Sequence, residues 1–316
     1  MRVLYRYIAI IIFFAISVIY YFQQHQNRNS ERSKNKTLNE VDLYGHPIQF
    51  KPGKSRSRVI FYNRIGKCGS RSILNLARRL SDKYKYTFLE SPDFEHDHPA
   101  HDEMMEELEK ISKLQPPIFY NRHIHFLDFE KYHHLQPIYI NVIRDPIDRF
   151  VSHYNYIKYG DGEAMVKNPR DDLPHINDCV LKKIDLCNTN FLYYVGQYFC
   201  GFDEICNHPS QESADLAKRH INQNYVLIGL LEDFENTLLL LQRLLPEYFL
   251  DAVSQWKKNS RTSTITKTKK HEVLSDEAIK ILKSKYMKYE YEVYNYAKKK
   301  FEELKVKYGI YDKEKT

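Results

Sequence analysis

The sequence predicts an α/β domain with a mostly parallel central sheet flanked by helices, set behind an N-terminal transmembrane helix. Three observations carry this expectation. Short apolar runs of strand type alternate with amphipathic helical stretches from Arg58 onward, a glycine-containing turn joins the first strand to the first helix, and residues 7–22 are uncharged and apolar. Strands that alternate with helices argue a parallel sheet, because parallel neighbours need a crossover connection and a helix usually supplies it.

The N-terminal run, YIAIIIFFAISVIYYF from Tyr7 to Phe22, follows Arg2 and Arg6. About 20 residues span a bilayer, so this run, extended by Val3 to Tyr5 or by Gln23, is just long enough. A cleaved signal peptide would end in small residues, whereas Tyr20, Tyr21 and Phe22 stand here. Residues 1–6 are therefore expected as a cytoplasmic tail and 7–23 as an uncleaved signal-anchor; so short a tail is more easily left in the cytosol than pushed across. Residues 24–56 are polar and without apolar periodicity, which reads as a flexible stem bearing the glycosylation sequon Asn35-Lys36-Thr37. Residues 57–316 then form the luminal domain.

Within that domain RVIFYN (58–63) is the first strand, IGKCGSRS (65–72) the turn and SILNLARRL (72–80) the first helix. A second strand is expected at YTFLE (86–90), a helix over 103–113, and a strand running into a loop at PIFYNRHIHF (117–126). PIYINVI (137–143) reads as a buried strand, and Asp145-Pro146 cap and open the helix 146–158. Residues 160–210 are loop-rich. Helix 211–223, strand VLIG (226–229) and helix 232–245 restore the alternation, and a basic Ser/Thr/Lys segment (257–270) precedes a final helix over 275–307.

Composition narrows the function classes. With 42% hydrophobic residues the 316-residue chain can build a substantial core, and a net charge of +7 favours an anionic partner. No zinc finger, RNA-recognition signature or basic-region helix is present, which speaks against nucleic acid. The 26 tyrosines suit packing and sugar stacking equally. Of five cysteines, Cys179, Cys187, Cys200 and Cys206 cluster. Their spacing fits a zinc site poorly, and in an oxidising lumen they would form two disulfides. The simplest pairing is 179 with 187 and 200 with 206; two other pairings remain open, and Cys68 is left over.

Three constellations carry chemistry. In the first, Gly66-Lys67-Cys68-Gly69-Ser70-Arg71-Ser72 sits between a strand and a helix. Backbone amides of such a turn, aimed by a helix N-terminus, cradle phosphate or sulfate, while lysine adds a charge and serines add donors. It is not a Walker A loop, because Cys68 stands where that motif needs Ser or Thr after the lysine. The second pairs Arg144, at the end of PIYINVI, with Ser152 two helical turns on, a guanidinium and a hydroxyl suited to a terminal phosphate. The third is Arg122-His123-Ile124-His125. Histidines at i and i+2 on a strand share a face and could bind metal or act as a base, and the reading preferred here is the base, with no metal.

The combination and order of these motifs resemble the glycosaminoglycan uronyl 2-O-sulfotransferases. The resemblance runs from about residue 58 to 305 and rests on YNRIGKCGSRS, RHIHFLDF, PIYINVIRDPIDRFVSHY, the clustered cysteines, YFCG and VLIGLLEDFENTLLLL. KCGSRS and RHIHF look more like the dermatan/chondroitin branch than the heparan branch. The resemblance implies a P-loop-like sulfotransferase domain in the Golgi, type II in topology, using 3′-phosphoadenosine 5′-phosphosulfate and no metal. Its acceptor would be a uronic acid 2-hydroxyl in a glycosaminoglycan, and the protein would be a homo-oligomer.

Residue by residue, the resemblance implies that Lys67 with Cys68, Gly69, Ser70, Arg71 and Ser72 holds the 5′-phosphosulfate, and that Arg144 and Ser152 hold the 3′-phosphate. Lys269 would be a further cofactor contact, His123 the general base, and Arg64, Asn75 and His125 sugar contacts. The physics agrees with such roles. A sugar hydroxyl is a poor nucleophile and gains from a base, lysine and oriented amides stabilise charge developing on the leaving phosphate, and Arg64 could clamp the uronate carboxylate. The alternatives are heparan sulfate as acceptor, or a catalytically silent glycosaminoglycan-binding protein on the same fold.

Overall fold

In the computed structural model, residues 55–92, 97–160, 169–187, 189–259 and 271–311 are described. The expected tail, signal-anchor, nearly all of the stem, Asn35 and Lys269 lie outside these residues. Among the described residues no helix is long and apolar enough to cross a membrane.

Among the described residues five strands form one sheet: β1 (Ser55–Asn63), β2 (Thr87–Glu90), β3 (Ile118–Arg122), β4 (Gln136–Ile143) and β5 (Tyr225–Leu230). Their order is β2-β3-β1-β4-β5 and every pairing is parallel, with Tyr62 set between Asn121 and Ile140. The expected parallel α/β fold is thus present. β1 begins three residues earlier than its apolar run, across an irregularity where Arg58 takes φ 83° and the register on β4 shifts.

All residues of β3 and β4 are buried, as strands covered on both faces should be. Alternate residues point to opposite faces. Ile60, Tyr62, Phe119, Ile140 and Val142 pack with α1 (Ser70–Tyr84) in the largest apolar cluster. Phe61, Tyr120 and Tyr139 pack with α2 (His101–Ser112) and the 124–129 loop. A separate cluster lies under α3 (Pro146–Tyr159) and α4 (Ile176–Lys182). The remaining longer helices are α5 (Tyr194–Cys200), α6 (Gln211–Asn224), α7 (Phe234–Leu244), α8 (Ala252–Asn259), α9 (Asp276–Ile281) and α10 (Lys288–Lys307).

β1 leads through α1 to the β2 side of the sheet, and β4 leads through α3 to the β5 side. The chain therefore switches direction between β1 and β4, and a crevice opens beyond their C-terminal ends, where open α/β sheets bind ligands.

Two expectations need correction. The final helix is interrupted: Leu282–Tyr286 is a π-turn, closed by the Met287 N–H on the Leu282 carbonyl. Leu282 and Met287 are both buried in the cluster under α3, and the wider turn brings residues five apart onto one side. The cysteine-bearing segment is more ordered than a loop, holding α4 and α5. Its disulfides are Cys179–Cys187 and Cys200–Cys206, the simplest pairing, and Cys68 is a buried free thiol.

Candidate active site

The turn after β1 approaches an anion cradle step by step. Lys67 takes φ 65° and Gly69 φ 77°, so two left-handed residues flank Cys68 and curl the backbone before α1. A non-glycine residue held in that region is uncommon and clusters at ligand clamps. Gly69 occupies the N-cap position without a capping side chain, and no acidic residue sits in the first turn, so the amides of α1 are not spent on a carboxylate. The hydroxyls of Ser70 and Ser72 make no side-chain hydrogen bond among the described residues. The Lys67 ammonium lies 3.9 Å from the centre of the Tyr156 ring on α3. A donor set of amides, hydroxyls and one ammonium, with no carboxylate in the first helical turn, fits a phosphosulfate group.

Cys68 belongs to this turn by its backbone only. Its side chain is wholly buried in the largest cluster, and burial pushes the thiol up to about 12. Asn75 lies exposed on α1, and Arg71 is half-buried in its first turn.

Arg64, the first residue past β1, is buried at 4% exposure, and its Nη1 donates to Glu90 Oε1 at 3.0 Å. The other Glu90 oxygen accepts from Arg78 at 2.8 Å. Arg64 therefore sits in a buried ion pair rather than open to an incoming carboxylate, and the direct uronate clamp does not fit this placement.

β3 ends at Arg122 before either histidine, so strand alternation does not set which way the two side chains face. His123 is half-buried. Burial and the Arg64 guanidinium push it down to about 4, against a backbone hydrogen bond at Arg64 and the Asp97 charge. It is neutral at physiological pH, the form a proton acceptor needs. His125 is buried at 3% exposure, its ring 4.7 Å from Tyr198 and 4.9 Å from His98 between centroids. Burial lowers its pKa to about 4 too. It packs an aromatic cluster, so its placement argues a structural part rather than a sugar contact. No group of three or more metal-ligating side chains forms among the described residues.

On the far side of the crevice, Asp145 caps α3 by accepting from the Ile147 and Asp148 amides at 3.0 and 3.2 Å, as the Asp-Pro pair predicts. Arg144 remains 30% exposed with its Nη2 3.6 Å from Asp148, a weak surface pair an anionic ligand could displace. The Ser152 side chain is half-buried and makes no hydrogen bond to any described residue.

Sequence reasoning passed over a buried polar layer beneath these residues. Arg149, 1% exposed, reaches His153 Nδ1 with Nη1 at 3.2 Å and sits 4.3 Å from the Tyr194 ring centre. Glu290 of α10, equally buried, accepts from the Val195 and Gly196 amides at 2.9 and 2.8 Å and so caps α5. The Tyr194 hydroxyl donates to Asp97 at 2.8 Å. The i, i+4 spacing of Arg149 and His153 on one helix was the signal available for that pair.

A parallel sheet with an amide-rich, lysine-bearing turn at its switch point and a neutral histidine on the adjacent strand end is an arrangement suited to a phosphate- or sulfate-bearing ligand. The chain belongs to the sulfotransferase family, whose profile matches residues 54–297. It is 39% identical to human uronyl 2-sulfotransferase over 261 residues, which cover 79% of this chain and 64% of that protein. The mouse uronyl 2-sulfotransferase is 38% identical over the same coverage. Human heparan sulfate 2-O-sulfotransferase 1 is 28% identical over 309 residues, 92% of this chain and 87% of that one. The match thus spans less than two thirds of the length of the uronyl relatives.

Proposed function

We propose that this protein transfers a sulfuryl group from 3′-phosphoadenosine 5′-phosphosulfate to the 2-hydroxyl of a uronic acid in a glycosaminoglycan, with dermatan or chondroitin sulfate as the acceptor backbone. The observation that carries this reading is the Lys67 turn at the switch point with a neutral His123 at the end of the neighbouring strand β3, in a chain 39% identical to uronyl 2-sulfotransferase. The bound donor would supply an activated sulfuryl group on a phosphate leaving group. Lys67, the amides from Cys68 to Ser72 and the Ser70 and Ser72 hydroxyls would hold its 5′ end and stabilise charge appearing there. Arg144 and Ser152 would take the 3′-phosphate. His123 would accept the proton of the attacking hydroxyl. Burial first, and then the Arg64 guanidinium tied to Glu90, hold His123 neutral in the free protein.

The same reading places the protein in the Golgi membrane, anchored by residues 7–23 with residues 57–316 luminal, Asn35 glycosylated and the protein a homo-oligomer. The apolar run and two disulfides, which persist in oxidising compartments, support the topology. The test is incubation of the full-length chain with radiolabelled donor and desulfated dermatan, chondroitin or heparosan, followed by disaccharide analysis. Label on the uronate 2-position of dermatan or chondroitin is expected. Label on heparosan alone would reassign the acceptor. Binding of 3′-phosphoadenosine 5′-phosphate without any transfer would leave a silent binding protein.

A further inference from the structure

His153 sits on α3 one turn before Tyr156, the ring that faces the Lys67 ammonium. Its imidazole stacks on Phe191, centroids 4.8 Å apart at 28°, and meets Tyr194 edge-on at 5.9 Å. Tyr194 lies against the anion-cradling turn, since a methyl added at Gly66 would stand 3.7 Å from its hydroxyl. Lys67, Arg149 and His123 all act on the His153 ring electrostatically. His153 therefore belongs to the wall that joins the turn to the end of β3, yet neither the motif reading nor the function above gives it a part.

Its protonation is settled by its neighbour. The Arg149 guanidinium carries donors only and does not lose its proton in proteins. With Arg149 Nη1 3.2 Å from His153 Nδ1, that nitrogen must accept. The imidazole is then neutral and its proton stays on Nε2. Arg149 cannot easily turn away, because its Nη2 donates to the Phe191 carbonyl at 3.4 Å and its guanidinium rests over the Tyr194 ring. The His153 Nε2–H makes no hydrogen bond to any described residue.

We propose that His153, locked by Arg149 as a neutral Nε2–H donor, hydrogen-bonds the sulfuryl oxygens of the donor held in the Lys67 turn. This rests on the reading of the site as a phosphosulfate site. Two histidines then divide the work by tautomer. His123 accepts a proton from the acceptor hydroxyl, whereas His153 has its acceptor nitrogen occupied and can only donate. A neutral donor also adds no charge beside Lys67, so it contributes without further repulsion between cations.

The experiment compares the full-length wild type with His153→Phe, which keeps the stack on Phe191, and His153→Gln, which restores an N–H donor. Calorimetry gives affinities for 3′-phosphoadenosine 5′-phosphosulfate and for 3′-phosphoadenosine 5′-phosphate, which lacks the sulfuryl group, and steady-state assays give kcat. Expected for His153→Phe is a fall in kcat of roughly a hundredfold and weaker phosphosulfate binding, with the desulfated nucleotide bound within about twofold of wild type. His153→Gln should recover most of the kcat. Wild-type kcat in His153→Phe overturns the proposal. So does loss of both nucleotides together with lower thermal stability, which would mark a purely structural ring, and so does equal loss of kcat in both variants. A wild type that binds phosphosulfate but transfers nothing to any glycosaminoglycan removes the acceptor assignment, and the binding comparison still judges His153. A wild type that binds neither nucleotide removes both readings.

Discussion

Burial and a neighbouring cation act in the same direction on His123, and this has a kinetic consequence. With its pKa pushed down to about 4, the free enzyme holds His123 as a base over the physiological range. The base form is lost only as pH falls through that value, so kcat/KM should stay flat from neutrality down to about pH 5 and drop below it. An anionic acceptor near Arg64 would offset the cation and raise the pKa, so the acid limb of kcat should lie higher than that of kcat/KM. His123→Ala should cut kcat by about a hundred- to ten-thousand-fold and leave nucleotide affinity nearly unchanged. Lys67→Ala should lower kcat and weaken phosphosulfate binding as well, because on the proposed reading Lys67 would meet the donor before reaction. Steady-state kinetics with parallel calorimetry separates the two. A His123→Ala enzyme with wild-type kcat would remove the general-base assignment.

At the scale of the element, the strand–turn–helix of residues 55–84 is where backbone geometry makes the site. Gly69 takes φ 77°, and a Cβ there would come within 2.5 Å of Leu231 Cδ1. Leu231 follows β5 and is tied to β4 by its amide on the Ile143 carbonyl at 2.8 Å. Gly69→Ala should therefore destabilise the domain by about 1–2 kcal/mol from the left-handed backbone alone. It should also weaken nucleotide binding about tenfold or more as the amides turn from the ligand. Chemical denaturation and calorimetry measure the two effects, and unchanged nucleotide affinity would argue that the amides are not the cradle. This element was legible in the sequence because a short apolar run, a glycine turn and an amphipathic run each have local signatures. The curl at Lys67 was not, since φ depends on how the turn closes against its surroundings. Nor was the ion pair of Arg64, whose partner Glu90 lies on another strand, or the π-turn at Leu282–Tyr286, where the apolar spacing reads as one helix until tertiary packing draws Leu282 and Met287 inward. His153 was hidden for the same reason, its stacking partner Phe191 lying beyond the end of α3.

Across the whole molecule, the buried neutral histidines make stability depend on pH. His123 and His125 are pushed down to about 4, His153 lies well below the ordinary value and His220 is lowered too, each chiefly by burial. In the unfolded chain they titrate near 6.5. Between that value and their folded pKa the unfolded state binds more protons, so stability is fully present above about pH 6.5 and is lost as pH falls. Each such histidine contributes a slope of at most about 1.4 kcal/mol per pH unit, approached only where the unfolded form is protonated and the folded form is not. Glu290 runs the other way: burial raises its carboxyl despite the amides it accepts from, so it costs stability as pH rises above the ordinary carboxylate value. The wild-type slope is a balance of these groups, and a difference between proteins isolates one of them. His125→Phe is suited to this, because the ring sits among His98, Tyr198 and Phe202, its Nδ1 is buried without a hydrogen-bond partner among the described residues, and phenylalanine keeps the packing without the proton. Urea unfolding of wild type and His125→Phe at intervals from pH 7 to 4.5 should show the variant losing less stability, by about 1 kcal/mol per pH unit on average below 6.5. Turnover at pH 7 should stay near wild type if His125 only packs. Parallel stability curves would show that His125 is protonated in the folded protein, and a raised acceptor KM would return it to the sugar site.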